Sequence, residues 1–459
     1  AGWVPPPIVR ELGLTGLELV TPDPTVSVPL GGGEWLSLSP DAGRAAETIR
    51  RHSPRDAAAW GPFTATVAKL AGFLEALYVL PPPDIDARTL GELLPLLGVA
   101  RKLRGLGKRD MVALLRTIPM SVQELLDDTF EHEALKAAVG AGGVLDIRQG
   151  PRSGGTAFVL LHHQVGGQAG ALRGRGYWKG GPGALVEAAT TAARRYGAEI
   201  RTGAEVVRIS IKDDRVAGVV LTTGEEIAVK AVLSTADPAR TLLGMVDPVW
   251  LDPEFVLAVR NIKFRGSSSK VLFALESVPP EAHAGALTLA GSLEQIERAA
   301  DAAKYGRASE RPFVELQFPS LRWPHLAPAG RHVAVAHVQF TPFALRDGEW
   351  TPAVAEELAA RVGRVIEESL PGFAGRVLHR AVLSPVEIAA RYFLTEGAVT
   401  HGEMTLDQIL FMRPVASASK YAAPIEGLYL GGAGSHPGSG IAGAPGWLAA
   451  KALLRENAR

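Results

Sequence analysis

The spacing of apolar residues changes several times along the chain, and each change predicts an element. Val26-Ser27-Val28 and Trp35-Leu36-Ser37-Leu38 alternate apolar with polar around Gly31-Gly32-Gly33, the pattern of a hairpin. Ser39-Pro40-Asp41 starts a helix towards Arg51, and Ser53-Pro54-Arg55-Asp56 starts another. Apolar positions recur at helical spacing over Thr64 to Val79, Leu90 to Leu106 and Met111 to Phe130, which predicts a helical region over roughly 60–147. Gly180-Gly181-Pro182-Gly183 leads into a helix from Ala184 to Tyr196 that stops at Gly197. Ala198 to Arg201 reads as a strand. Glu205 to Ile211, Arg215 to Leu221 and Glu225 to Val229 then form a meander around two polar turns, and Ala231 to Ser234 is a buried strand.

Residues 255–400 mix strands at Lys270 to Leu275, Phe313 to Phe318, Val333 to Phe340 and Val377 to Leu383 with helices near Leu293 to Lys304, Ala353 to Leu370 and Pro385 to Tyr392. Antiparallel strands with helices on one side predict a roof over an apolar substrate. The chain is expected to divide into 1–60, a helical part 61–147, 148–250 with the meander, 251–400 and 401–459.

The last stretch carries the most chemistry. Leu428-Tyr429-Leu430 is a strand, a glycine-dense loop follows, and a helix is expected to start near Ile441, with Pro445 in its first turn. Glycine leaves no Cβ in the way of a flat ligand, and a helix start carries partial positive charge. Gly438-Ser439-Gly440-Ile441-Ala442-Gly443 fits G-x-G-x-x-G, but a dinucleotide fingerprint needs an acidic residue about 20 positions on, and no second strand follows. The match marks a closing strand–loop–helix.

Composition narrows the classes. Hydrophobic residues at 47% and charged residues at 21% suit a soluble globular chain, and a formal net charge of zero argues against nucleic acid. The chain has no cysteine, which excludes disulphides, thiolate metal sites and a dithiol relay. No apolar run reaches a membrane span, and no signal peptide opens the chain. A cytoplasmic, bacterial enzyme is expected. Peripheral membrane contact stays open, although Asp127, Asp128, Glu131 and Glu133 oppose an anionic surface.

Leu428 to Gly446, reading LYLGGAGSHPGSGIAGAPG, resembles the C-terminal flavin-binding motif of phytoene desaturase-like FAD oxidoreductases. His401 to Pro414, HGEMTLDQILFMRP, and Gly155 to His163, GTAFVLLHH, resemble the branch of pyridine nucleotide-disulphide oxidoreductase domain-containing and phytoene dehydrogenase-related proteins. The resemblance implies an α/β, two-domain FAD-binding fold of the glutathione-reductase-like Rossmann type, with an antiparallel-sheet and helical substrate domain. Its first βαβ unit is absent from this sequence. It implies hydride transfer between an apolar, polyene- or isoprenoid-like substrate and flavin N5. It also implies cofactor contacts from Val206, Val207, Ser234, Ala236, Gly432, Gly434, Ser435, His436, Gly438, Gly440, Ile441 and Gly443.

Each titratable candidate has a bland alternative. His436 could orient flavin or substrate, or merely brace the loop; His401 could do acid–base work within a motif that packs on that loop. His162-His163 look like a metal pair, but adjacent histidines face different ways and no acidic cluster accompanies them, so structural or cavity-lining roles are expected and no metal. Two other classes remain: an amine-oxidase-like oxidase, and a flavin-free binder of apolar or prenylated partners like the GDP-dissociation inhibitors.

Overall fold

The hairpin of alternating residues forms as expected, Val26–Gly31 against Glu34–Leu38. This computed structural model describes residues 2–83, 90–168, 170–174 and 176–457, with backbone alone for 90–96. The hairpin is one edge of a seven-stranded sheet. From the far edge the order is Val377–Leu383, Ser268–Leu275, His332–Gln339, Phe313–Gln317, Ala286–Thr288, Val26–Gly31 and Glu34–Leu38. Every pairing is antiparallel except that of Ala286–Thr288 with Val26–Gly31.

Alternation gives this sheet two unlike faces. Val271, Phe273, Val314, Leu316, Ala336 and Val338 bury themselves against Leu358, Val362, Val365 and Ile366 of the helix Pro352–Ser369. Each such aliphatic side chain gains about 1.5–3 kcal/mol by leaving water. The opposite face carries Lys270, His337 and Glu315, which neighbour one another across three strands.

The helical part forms a second core. Pro54–Tyr78 starts where Ser53 predicts, with the Asp56 N–H donating to Ser53 Oγ at 3.1 Å. It buries Trp60, Phe63, Val67, Leu70 and Leu74 with Leu126, Phe130 and Leu161. Asp127, Glu133, Asp128 and Glu131 are spent on Lys136, Arg116 and Arg55. Among the described residues no helix is long and apolar enough to cross a membrane.

The third core holds the C-terminal unit. Val232–Ser234 runs parallel to Leu428–Leu430, beside the antiparallel meander Val206–Lys212, Arg215–Leu221 and Glu226–Ala228. The helix Ala444–Asn457 packs back on this pair. Gly431 permits that: a Cβ there would lie 2.7 Å from the Leu233 side chain and 3.1 Å from the Gly446 Cα.

Two expectations need correction. Ala198 to Arg201 is exposed irregular chain and not a strand, because no described strand lies alongside to take its hydrogen bonds. The last helix begins at Ala444 and not near Ile441. Ile441 instead forms a bridge with Trp3, and Gly443 at φ +77 interrupts any helical path into it.

Candidate active site at the glycine loop

The loop Gly431 to Gly443 turns inward. Ser435, His436, Pro437 and Gly438 are buried, whereas Gly440 and Gly443 are exposed. Ser435 Oγ donates to the Leu430 carbonyl at 3.1 Å. Gly432 lies on Thr235 and Ala236: a Cβ there would meet the Thr235 oxygen at 2.4 Å and the Ala236 oxygen at 3.2 Å. Ser234 closes the adjacent strand, its carbonyl accepting from Gly431 N–H at 2.8 Å and its Oγ paired with Thr241 Oγ1 at 2.7 Å. Ser234, Ala236, Gly432 and Gly434 are therefore brought together.

Arg413 holds the loop from behind. It is fully buried, and its guanidinium donates to the carbonyls of Ala433, Gln408, Thr400 and Gly402 at 2.6–3.2 Å. Burial lowers its pKa to about 10, so it stays charged at neutral pH. Met404 fills the other side, where a Cβ on Gly438 would lie 2.8 Å from its sulfur. The segment His401 to Pro414 thus packs on the loop, as the sequence predicts.

A second brace comes from the helix Thr156–Gln164. His162 Nε2 lies 2.8 Å from the Ser439 carbonyl, which only accepts, so Nε2 carries the proton. Nδ1 then accepts from Tyr78 O–H at 2.8 Å. His163 Nδ1 likewise lies 2.9 Å from the Gly142 carbonyl, which only accepts, so Nδ1 carries a proton. His162 is structural and His163 lines the cavity described next. Among the described residues no cluster could hold a metal.

Ser439 and Gly440 form one wall of a cavity of about 410 Å³. Asp146, His163, Arg173 and Glu315 line it as well. The sheet forms the expected roof, and the face it turns to the cavity is polar and charged, because its apolar alternation faces the helix Pro352–Ser369. Arg173 Nη2 donates to Glu315 Oε2 at 2.7 Å, and both side chains are nearly inaccessible. Burial pushes Glu315 up, but Arg173 outweighs it and holds the carboxyl below its ordinary value.

Asp146 sits above the row by way of Gln339. Gln339 Oε1 accepts from Asp146 N–H at 2.9 Å and from His337 Nε2 at 3.0 Å, while its amide donates to the carbonyls of Val144 and Ile147. His337 Nδ1 then accepts from the Lys270 ammonium. Burial and Lys270 lower the His337 pKa, which keeps the ring neutral. Burial raises Asp146, yet the nearby Lys270 ammonium and the hydrogen bond from Ser268 help to hold it below the usual carboxylate value.

The other predicted residues fall elsewhere. His436 is 1% exposed, lies outside the cavity lining and meets Tyr78 edge-on at 5.9 Å between ring centres. Burial lowers its pKa to about 4, although the Leu77 and Leu80 carbonyls favour its protonated form. His401 touches the loop through its backbone, its oxygen 3.1 Å from where a Gly434 Cβ would stand. Val206 and Val207 lie in the separate meander sheet, half-buried and exposed respectively. Arg413 and Asp146 were missed by sequence reasoning. Arg413 had a signal, as a lone cation in an otherwise acidic and apolar motif, whereas Asp146 had none.

The group that such a fold takes can be tested on these residues. Ser439 and Gly440 present backbone at the cavity wall, Gly440 at φ +76, and Gly443 at φ +77 is exposed further along the loop, so a flat ring can lie against Ser439 and Gly440. A parallel strand pair closed by a glycine loop and a helix, next to a cavity roofed by a second sheet, is an arrangement that can hold a dinucleotide cofactor. Residues 47–454 match the flavin containing amine oxidoreductases, and the chain belongs to that family. It is an oxidoreductase whose cofactor is FAD.

Pyridine nucleotide-disulfide oxidoreductase domain-containing protein 2 of Rattus norvegicus is 33% identical over 476 residues, covering 97% of this chain and 82% of its own length. The neurosporene-forming phytoene desaturase of Rhodobacter capsulatus is 27% identical over 58% of this chain and 50% of its own. Among solved structures, an oxidoreductase from Methanosarcina mazei superposes with a TM-score of 0.57 at 15% identity over 99% of this chain and 85% of its own. A double mutant of putrescine oxidase does so at 0.57 and 13% identity over 100% and 87%. At such identities these two speak for the fold alone.

Proposed function

We propose that the chain holds FAD along its glycine loop and takes hydride from a carbon of a substrate lodged between that loop and the seven-stranded sheet. The observation that carries this reading is the placement of the accessible Ser439–Gly440 backbone in the cavity wall. FAD, when bound, supplies a two-electron acceptor.

The remaining work belongs to the chain. Ser439 to Gly443 give backbone approach, with Gly438 and Ile441 fixing the loop's path. Gly432, Gly434 and Ser435, with Ser234 and Ala236, flank the dinucleotide, and Val206 with Val207 give an apolar edge for its adenine half. Arg413 keeps a buried positive charge behind the loop, which favours negative charge developing at the ring. His436 braces the loop from the core, and His401 holds it at Gly434. The sheet face and the helix Thr156–Gln164 exclude water from the other side.

The experiment is an absorption spectrum of the purified native protein followed by anaerobic titration with dithionite. A yellow protein that bleaches with two electrons per chain supports the reading. A colourless protein that fails to take up added FAD overturns it and favours a binding role.

A further inference from the structure

The cavity wall facing the loop is built from paired ions where the sheet's apolar residues have turned away. Glu315, His337 and Lys270 stand side by side on three adjacent strands, each paired in register with the next. Arg173 closes on Glu315, and the Lys270 ammonium donates to the neutral His337 ring, its charge balanced by Asp146 and Glu315 nearby. Asp146 differs. Its backbone is held in the left-handed region at φ 57 by Gln339, and its side chain keeps 32% of its surface accessible. Its protein contacts are long and all at Oδ1, Ser268 Oγ at 3.4 Å and His337 Nε2 at 3.5 Å. The His163 ring lines the same cavity.

An apolar chain entering here would strip water from Asp146 and offer nothing back, at a cost of several kcal/mol for a carboxylate. A group donating hydrogen bonds would replace that water. At about 410 Å³ the cavity is at the small end of the roughly 300–1,000 Å³ common for ligand sites, and a flavin ring against its Ser439–Gly440 wall takes part of that, which leaves room for a small molecule.

From this we infer that the substrate is a small polar molecule bearing O–H or N–H donors, and that Asp146 is the residue that selects it. This deepens the proposed function and rests on it for the position of the flavin, but not for the binding itself.

Calorimetric titration of the full-length protein with glycerol, 1,3-diaminopropane and detergent-dispersed squalene tests it. Glycerol offers neutral hydroxyls, the diamine offers ammonium groups, and squalene has no donor. At least one polar probe binds. Asp146→Asn, which tolerates the left-handed backbone, weakens that binding about tenfold or more, the worth of a hydrogen bond to a charged acceptor. Tighter loss for the diamine than for glycerol identifies the donor as cationic; equal loss identifies it as hydroxyl. Binding of squalene in preference to both, no binding of either polar probe, or an unchanged Asp146→Asn affinity overturns the inference. Because calorimetry needs no flavin, polar binding by a colourless protein supports the inference while the flavin reading fails.

Discussion

Ser439 and His162 stand 277 positions apart in the sequence, yet the carbonyl of one accepts the Nε2–H of the other at 2.8 Å. This contact ties the helical part of the molecule to the glycine loop. Tyr78 extends the tie to the end of the helix Pro54–Tyr78. The loop's shape is thus set from two sides, by Arg413 behind and His162 beside it.

Replacing His162 by leucine leaves the Ser439 carbonyl and the Tyr78 hydroxyl without this partner. A loss of roughly 1–3 kcal/mol is expected, read as a lower urea midpoint at unchanged slope. Tyr78→Phe removes the outer bond, keeps the one between His162 and Ser439, and should cost about 1 kcal/mol. Both variants are expected to purify with less FAD per chain than the native protein, His162→Leu the more so.

Arg413→Met should be among the most damaging single changes, because at least four carbonyls lose their donor in a dry interior. About 3–5 kcal/mol or outright failure to fold is expected. Arg413→Lys should not rescue it. Three ammonium protons on a flexible stem cannot reproduce the planar fork that reaches these oxygens together. Soluble yield and thermal midpoint check this.

Gly440→Val and Gly443→Val place a branched side chain at φ +76 and +77, on the accessible face of the loop. Backbone strain alone costs about 1–2 kcal/mol. Gly31→Val, at φ +94 in an open hairpin turn, pays similar strain and is the control. Flavin content, from the ratio of visible to ultraviolet absorbance, should collapse in the first two and persist in the third. Equal retention in all three would show that the loop does not face the ring.

Acid should destabilise the protein through His436. The unfolded chain takes a proton there near the model-peptide value of 6.5, the folded chain only near pH 4. Between those values the unfolded state binds more protons, so the stability present above pH 6.5 is lost as pH falls towards 4. A difference of that size is worth about 3 kcal/mol. Urea unfolding across this window should therefore show a steeper acid limb for the native protein than for His436→Asn, which retains a donor towards Leu77 and Leu80 but does not titrate.

Local pattern carried much of the architecture. The hairpin around Gly31-Gly32-Gly33, the helix Leu293–Lys304, the strand Val377–Leu383 and the meander all form close to where spacing and turn residues put them, because alternation and capping act within a few residues. Ala198 to Arg201 failed for the complementary reason: a strand is defined by a partner, and pattern alone supplies none. The helix start moved from Ile441 to Ala444 because Trp3, from the far end of the chain, took the Ile441 position into a bridge.

Sequence alone therefore determined the strand–loop–helix at the C-terminus, the structural or cavity-lining character of the His162-His163 pair and the packing of His401 to Pro414 on the glycine loop, and the structure decided that His162 is the brace and His163 the cavity residue. Tertiary structure alone decided which face of the seven-stranded sheet looks onto that loop. Period-two alternation says that a strand has an apolar and a polar side, but both sides of this sheet are covered, and only the docking of the helix Pro352–Ser369 assigns the apolar one. The same choice turned Glu315 towards the cavity, put His337 and Lys270 beside it on the same sheet face, and set Asp146 at the cavity wall. The polar character of the site follows from that packing.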